Sequence, residues 1–188
     1  SFKEYLDTLD RGLGLNVVAM VGHSSLRYHV MGADSLEREA TADEVDAMCA
    51  GLRDSIAGGA FGFTSSRAPS HYDWEVRPVP SRQAAPEELI RLASELRNLP
   101  GTSMGLIPSG VFGGMSQSDK DLILQMTDAA RKPIQLNGFG GGDAWEFMGA
   151  STAKGADIWG VSSPQPFYKY VSLYGGTTHF NSMDTWMS

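Results

Sequence analysis

The chain has 188 residues, of which 41% are hydrophobic and 20% charged, as expected of a folded soluble domain with one sizeable core. Its formal net charge of −7 argues against nucleic acid or an anionic membrane as the main partner. No apolar run approaches the roughly 20 residues that span a bilayer, and the single cysteine, Cys49, excludes an internal disulfide and favours a reducing compartment, so we expect a cytoplasmic protein.

The first third of the chain alternates between helical and strand patterns. Residues 3–10 have helical spacing, and the uncharged stretch at about 15–21 predicts a strand covered on both faces. Thr41, followed three residues later by Glu44, predicts a capping box at the start of a helix that ends at Gly58.

A second strand, predicted at 60–64, leads into a polar loop at about 65–84. A loop of this length without secondary structure of its own is usually functional or disordered, and its aromatic residues favour an ordered one. Pro86 fits the first position of the next helix, where Glu87 and Glu88 occupy the first turn.

Three further strands are predicted at about 102–107, 134–137 and 157–161. Ser118 is placed to cap the helix between the first two of them, and a glycine-rich loop, 138–142, follows the second. The segment after the last strand is aromatic and irregular, which is typical of packing against the rest of a larger molecule.

The order of these elements predicts an α/β fold of about five parallel βα units with right-handed crossovers. Two architectures fit this pattern: an open doubly wound sheet, or part of a (β/α)₈ TIM-type barrel, whose full length is about 250 residues. Periodicity alone does not choose between them.

Polar side chains follow the first strand. His23 and Arg27 come directly after it, at the strand end where parallel α/β folds bind ligands. They are candidates for orienting a substrate carboxylate or carbonyl. The alternative is that His23 caps the following turn and Arg27 pairs with a nearby acid.

The second strand ends in a similar way, in Ser65, Ser66 and Arg67. The hydroxyls could bind an oxyanion and the guanidinium could hold a carboxylate in a bidentate manner. The nucleophile elbow G-x-S-x-G is absent, which argues against a nucleophilic serine. His71, in the loop that follows, joins the candidate substrate-binding residues.

No complete metal or phosphate site is evident from the residue spacing. No two of the four histidines have the spacing of metal ligands; they are His23, His29, His71 and His179. Cys49 lies on the apolar stripe of its helix and fits core packing. The glycine spacing at 138–142 matches neither a Rossmann nor a Walker motif, which disfavours a nucleotide-binding module.

Two long runs carry a family resemblance: NVVAMVGHSSLRYHVMG (16–32) and ATADEVDAMCAGLRDSIAGGAFGFTSSR (40–67). Together with PEELIRLA (86–93), they resemble the central part of the D-aminoacylase branch of the amidohydrolase superfamily, the N-acyl-D-amino-acid deacylases and their relatives. The chain also starts without methionine, so we expect residues 1–188 to be a single central segment of a longer protein.

The resemblance implies a metal-dependent hydrolase on a (β/α)₈ barrel, in which a zinc-activated water attacks an amide carbonyl. The zinc ligands and the catalytic aspartate are expected outside this chain. The family also places histidine ligands on two strands that read here as SMGLIPS (103–109) and PIQLNGF (133–139), neither of which contains histidine. Asn137 stands about where the second of these ligands is expected.

We therefore expect the chain to supply substrate-binding residues to a hydrolase acting on the amide bond of small N-acyl compounds. The predicted set contains no catalytic residue and no metal ligand; it consists of His23, Arg27, Ser65, Ser66, Arg67, His71 and Asn137. The expected partners are a small-molecule substrate and either the remainder of its own protein or a second copy, because an incomplete barrel exposes strand edges. The alternative is a non-catalytic binding or scaffold domain of the same descent.

Overall fold

The computed structural model describes residues 1–110, 114–137 and 143–161. Within these residues five strands form one sheet: β1 (Val21–Gly22), β2 (Gly62–Ser66), β3 (Ser103–Ile107), β4 (Ile134–Asn137) and β5 (Ile158–Val161). Six α-helices accompany them: α1 (Phe2–Leu9), α2 (His23–Met31), α3 (Ala42–Ala57), α4 (Pro86–Ser94), α5 (Gln117–Ala130) and α6 (Ala144–Thr152). Two 3₁₀ helices span Gly32–Leu36 and Pro80–Gln83.

The sheet is entirely parallel, and its strands lie side by side in the order in which they occur in the chain, β1-β2-β3-β4-β5. A doubly wound sheet reverses its strand order at a switch point, whereas a barrel adds each new strand on the same side. The observed order therefore selects the barrel from the two architectures that periodicity left open. Over the described residues the sheet does not close on itself.

The two faces of the sheet differ sharply in burial. Phe63, Met104 and Ile134 are neighbours across the register, face the helices and are fully buried. The next positions in each strand face the other way, and there Gln135 is exposed and Trp159 is 64% exposed. One face thus forms the core with the helices, and the other, which we call the uncovered face, corresponds to the interior of a barrel.

Helix starts follow local chemistry. Thr41 and Glu44 form the predicted capping box of α3, and Pro86 opens α4. The prediction for α5 was wrong by two residues, because Ser116 rather than Ser118 is its N-cap. The Ser116 hydroxyl accepts a hydrogen bond from the Asp119 amide at 3.1 Å.

The first strand is much shorter than predicted. Residues 16–20 are not part of the sheet, and Val18 is 67% exposed rather than covered on both faces. The strand is short because β1 lies at the edge of the sheet and pairs only with β2. The apolar residues 16–20 therefore have no second strand beside them among the described residues. The strand predicted at 60–64 is shifted to Gly62–Ser66, which puts both serines inside the sheet.

Gly62, the first residue of β2, cannot be replaced without distortion. Its φ of 141° lies in a region that favours glycine, and a Cβ at this position would lie 1.8 Å from the carbonyl oxygen of Ser103 on β3. The glycine therefore lets β2 and β3 approach closely at the beginning of their pairing.

The long loop after β2 has more structure than predicted. It contains the 3₁₀ helix Pro80–Gln83 and a small antiparallel bridge between Tyr72 and Pro78. The glycine-rich loop 138–142 and the aromatic segment after residue 161, including His179, lie outside the described residues. No helix in the described part is long and apolar enough to cross a membrane.

Candidate functional site

A buried chain of hydrogen bonds joins β2 to two helices at the carboxyl edge of the sheet. The Ser65 hydroxyl lies 2.8 Å from His23 Nδ1, and His23 Nε2 lies 2.7 Å from Glu88 Oε1. The second carboxylate oxygen, Oε2, accepts a hydrogen bond from Arg27 Nη1. All four side chains are buried, with Arg27 at 0% and His23 at 1% exposure.

Local structure brings these residues together. His23 is the first residue of α2 and Arg27 lies one turn later, so both side chains project from the same side of the helix. Glu88 lies in the first turn of α4, where the helix dipole favours a carboxylate. Ser65 points towards these helices because the alternation of β2 places it on the same face as Phe63.

The ionisation state of Glu88 determines which atoms of this network carry the protons. Burial opposes ionisation of Glu88, but its hydrogen bonds to His23 and Arg27 outweigh burial and hold its pKa below the ordinary value. An ionised carboxylate only accepts hydrogen bonds, so His23 Nε2 carries the proton and Nδ1 accepts from the Ser65 hydroxyl. Burial lowers the pKa of His23 and keeps the ring neutral, against the opposing effect of Glu88.

Arg27 ties the network to the segment after α2. Its Nη2 donates to the carbonyl oxygens of Arg38 at 2.8 Å and Ser35 at 3.4 Å, whereas its Nε is buried without a partner in the described structure. Arg27 thus pairs with a nearby acid, as the alternative interpretation held, and His23 binds the same carboxylate instead of capping a turn. A role of His23, Arg27 and Ser65 in substrate binding stays a prediction.

Arg67, unlike Arg27, has no acidic partner among the described residues. It follows β2 directly, its amide donates to the Ile107 carbonyl at 2.8 Å, and its Nη1 donates to the Ala84 carbonyl at 3.2 Å. The side chain is half-buried, and no carboxylate in the described part of the chain lies within 4.0 Å of it. Among the described residues, the Arg67 side chain makes this one hydrogen bond and no ion pair.

Ser66 alternates to the face opposite Ser65 and is held by the following loop. Its carbonyl accepts a hydrogen bond from the Ser81 hydroxyl at 2.8 Å, and the Ser81 amide donates to the Ser24 hydroxyl at 3.2 Å. These bonds hold the 3₁₀ helix Pro80–Gln83 against the start of α2 and the end of β2.

Asn137 ends β4 on the uncovered face. Its Oδ1 accepts a hydrogen bond from Gln135 Nε2 at 3.0 Å. A Cβ built on Gly105 would lie 3.7 Å from Asn137 Nδ2 and 3.0 Å from Thr64 Cγ2, so the three residues are neighbours across the sheet. Asn137 therefore presents an amide to the space that corresponds to a barrel interior.

His71 lies apart from the network, in the loop after β2. The residue as a whole is exposed, but partial desolvation of its ring, together with the nearby charge of Arg82, lowers its pKa. The structure thus groups His23, Arg27 and Ser65 on the helix side, and leaves Ser66, Arg67, Asn137 and His71 at separate points of the carboxyl edge and the uncovered face.

The described residues do not fit a metal site. The described part of the chain holds no cluster of three or more His, Cys, Asp or Glu side chains that could bind a metal ion. Cys49 is fully buried, and burial raises the pKa of its thiol to about 11, as expected of a core residue.

Sequence reasoning missed two buried acids. Glu88 was interpreted only as a first-turn residue, although it stands one turn before the buried Leu92, a spacing that indicates the inner face. The other is Asp119, whose carboxylate accepts hydrogen bonds from the Ser109 hydroxyl at 2.6 Å and the Ser116 hydroxyl at 3.0 Å. Asp119 thus joins the end of β3 to the start of α5.

Comparison with solved structures confirms the resemblance to D-aminoacylase. Three structures superpose with TM-scores of 0.69–0.70 at 25% identity, each over 87% of this chain. They are a D-aminoacylase mutant in complex with copper chloride, a D-aminoacylase studied for the role of its binuclear metal centre, and a D-aminoacylase that defines a novel subset of amidohydrolases. No protein-family model and no curated protein matches the chain.

The match covers only 34% of each of those structures, so the chain spans about a third of their length. Together with the sequential parallel strands, it identifies the five βα units as part of a (β/α)₈ barrel.

We predict that Glu88→Ala lowers the free energy of unfolding by about 3–5 kcal/mol, because it leaves the Arg27 guanidinium buried without its counter-charge. Glu87→Ala is the matched control, since Glu87 is the exposed neighbour in the same helical turn; we expect a loss below about 1 kcal/mol. Urea unfolding followed by circular dichroism measures both. Equal losses for the two variants would show that the network does not stabilise the fold.

The network also predicts a pH dependence of stability. A histidine whose folded-state pKa is lowered contributes stability that is complete above its ordinary pKa of 6.5 and is lost as the pH falls towards the folded-state value. We expect the free energy of unfolding to decrease from pH 7 to 5, and His23→Gln to remove most of that decrease.

His71→Gln serves as the comparison, because the pKa of His71 is lowered too but the residue as a whole is exposed. The stability contributed by Glu88, whose pKa is lowered, is complete above its ordinary pKa of 4.5 and is lost only below it, so Glu88 adds no pH dependence between pH 7 and 5. A decrease that persists unchanged in His23→Gln would contradict the assignment of a neutral buried ring.

Proposed function

We propose that this chain is the central, substrate-binding segment of a hydrolase that cleaves the amide C–N bond of small N-acyl compounds such as N-acyl-D-amino acids. The structural likeness to D-aminoacylase supports the reaction class. The polar side chains at the carboxyl edge of the sheet support a role in binding, because barrel enzymes bind substrates at that edge.

The observation that carries this proposal is the half-buried Arg67 guanidinium, which has no carboxylate partner in the described structure. A partly buried cation without a counter-charge gains from a ligand that supplies the anion. In an N-acyl amino acid that anion is the α-carboxylate, and arginine binds carboxylates in a planar, bidentate geometry.

The remaining predicted residues divide into two groups in this proposal. Ser66, His71 and Asn137 contact the substrate together with Arg67. His23, Arg27 and Ser65 act on it indirectly, because their network with Glu88 holds the end of β2, from which Ser66 and Arg67 project. None of the seven is assigned a catalytic role.

The proposed cofactor is zinc, which supplies an activated water when bound. Its ligands would come from residues outside the described part of the chain, since those present do not form a metal cluster. The lone cysteine fits a reducing compartment, and we propose that the enzyme acts in the cytoplasm.

A second candidate is a non-catalytic binding domain of amidohydrolase descent. The sequence segments 103–109 and 133–139 lack the histidines that the resemblance implies, which favours this alternative. Metal analysis of the complete protein distinguishes the two. Stoichiometric zinc that is lost together with activity on chelation supports the hydrolase, whereas a protein that binds no zinc under saturating conditions supports the binding domain.

We expect Arg67→Ala in the complete protein to lower kcat/KM for an N-acetyl-D-amino acid by about 10- to 100-fold, mainly through KM, because a charge-assisted contact to the carboxylate is lost. Arg97→Ala is the control, since Arg97 is an exposed arginine without an ion-pair partner in the described structure. The circular dichroism spectra should match the wild type. An unchanged kcat/KM in Arg67→Ala would remove this residue from the site.

We also expect the isolated 188-residue chain to self-associate. β1 and β5 have open edges among the described residues, and the uncovered face carries the exposed Trp159. Light scattering over a range of concentrations measures the mass. A concentration-independent monomer would argue that these surfaces need neither a second copy nor the rest of the protein.

A further inference from the structure

The uncovered face of the sheet carries a pair of amide side chains on β4. Gln135 and Asn137 lie two positions apart, so both project to this face, and Gln135 Nε2 donates a hydrogen bond to Asn137 Oδ1 at 3.0 Å. This bond fixes the orientation of the Asn137 amide, because its oxygen is turned back towards Gln135. The NH₂ group, whose nitrogen is Nδ2, is thereby directed away from Gln135.

Asn137 Nδ2 makes no hydrogen bond with any described residue. On one side, the register neighbour of Asn137 is the apolar Val161 of β5. On the other side lies the point that a Cβ on Gly105 would occupy, which is 3.7 Å from Asn137 Nδ2 and 3.0 Å from the methyl carbon of Thr64. The amide hydrogens therefore face the same space as a glycine and a methyl group, neither of which accepts a hydrogen bond through a side chain.

Two further features keep this donor available. Glycine at position 105 leaves the point beside Nδ2 unfilled, since a side chain there would crowd Thr64 and contact the amide. Trp159, the neighbour of Gln135 on β5, does not compete for the amide pair, because its Nε1 donates to Asp157 Oδ1 at 2.6 Å.

An amide in this orientation has a restricted chemistry. Its NH₂ group only donates hydrogen bonds, so it cannot bind a metal ion in place of the histidine that the resemblance implies here. It is also neutral and brings no charge to a carboxylate, unlike the guanidinium of Arg67. The group that suits a neutral donor is a neutral acceptor, and in an N-acyl amino acid that acceptor is the acyl carbonyl oxygen.

We propose that Asn137 Nδ2 donates a hydrogen bond to the acyl carbonyl oxygen of the substrate, and that Gln135 is a positioning residue that holds the amide in the required orientation. This inference rests on the proposed function, to which it adds the substrate atom that Asn137 binds and the role of Gln135. The bond orients the amide that is to be cleaved.

The first test measures kcat/KM of the complete protein for N-acetyl-D-alanine. Asn137→Leu keeps the approximate size of the side chain but removes the donor, and it should lower kcat/KM by about tenfold or more. Asn98→Leu makes the same change at an exposed asparagine and should leave kcat/KM unchanged. Circular dichroism confirms that both variants are folded. Wild-type kcat/KM in Asn137→Leu would overturn the inference while leaving the proposed hydrolase intact.

A double-variant comparison tests the positioning role. Gln135→Met removes the hydrogen bond to Asn137 Oδ1 with little change in size, and it should lower kcat/KM by about threefold to tenfold in the otherwise wild-type protein. In the Asn137→Leu background it should have no further effect, because Gln135 acts only through the amide. Equal losses in the two backgrounds would show a merely structural role and overturn the assignment of Gln135.

A binding measurement separates failure of the inference from failure of the proposed function. If the complete protein hydrolyses no N-acyl amino acid, calorimetric titration compares 4-oxopentanoate with pentanoate. The first is N-acetylglycine with a methylene in place of its N–H, and the second also lacks the carbonyl oxygen; both carry one negative charge. Tighter binding of 4-oxopentanoate by about fivefold or more, lost in Asn137→Leu and kept in Asn98→Leu, supports the carbonyl site without the hydrolase. Equal affinities, or no binding of either compound, contradict it.

Discussion

The Glu88 carboxylate is the group on which the carboxyl edge of this sheet depends. It binds His23 through one oxygen and Arg27 through the other, and thereby allows a full positive charge to lie at 0% exposure between a sheet and its helices. Without an ionised partner that burial would cost several kcal/mol. Because the other ring nitrogen of His23 is hydrogen-bonded to the Ser65 hydroxyl, the same carboxylate also holds the end of β2 against α2 and α4.

The alternation of β2 directs the side chains of Ser65 and Ser66 to opposite faces of the sheet. Ser65 points into the helix layer and completes the buried network, whereas Ser66 points to the opposite face and Arg67 leaves the strand at its edge. The consecutive residues Ser65, Ser66 and Arg67 therefore have different surroundings. Arg27 is paired with Glu88, whereas Arg67 has no acid in the described structure, and this contrast is the basis of the proposal that Arg67 binds an anion.

Much of the fold could be predicted because its signals are local. The Thr41–Glu44 capping box and Pro86 depend only on short-range chemistry, and both were confirmed. The length of β1 was not predictable, because an apolar run does not reveal whether a second strand lies beside it. The partner of His23 was missed for a related reason: Glu88 is 65 residues away, and spacing along the chain carries no information about such a contact.

The most direct measurement is a crystal structure of the complete protein with a bound, unreactive analogue of an N-acyl amino acid. We predict that the α-carboxylate of the analogue lies at the carboxyl edge of the sheet and accepts two hydrogen bonds of about 2.7–2.9 Å from the Arg67 guanidinium. A ligand bound elsewhere, or an Arg67 already paired with a carboxylate from another part of the protein, would contradict the central claim that this arginine is kept free for the substrate.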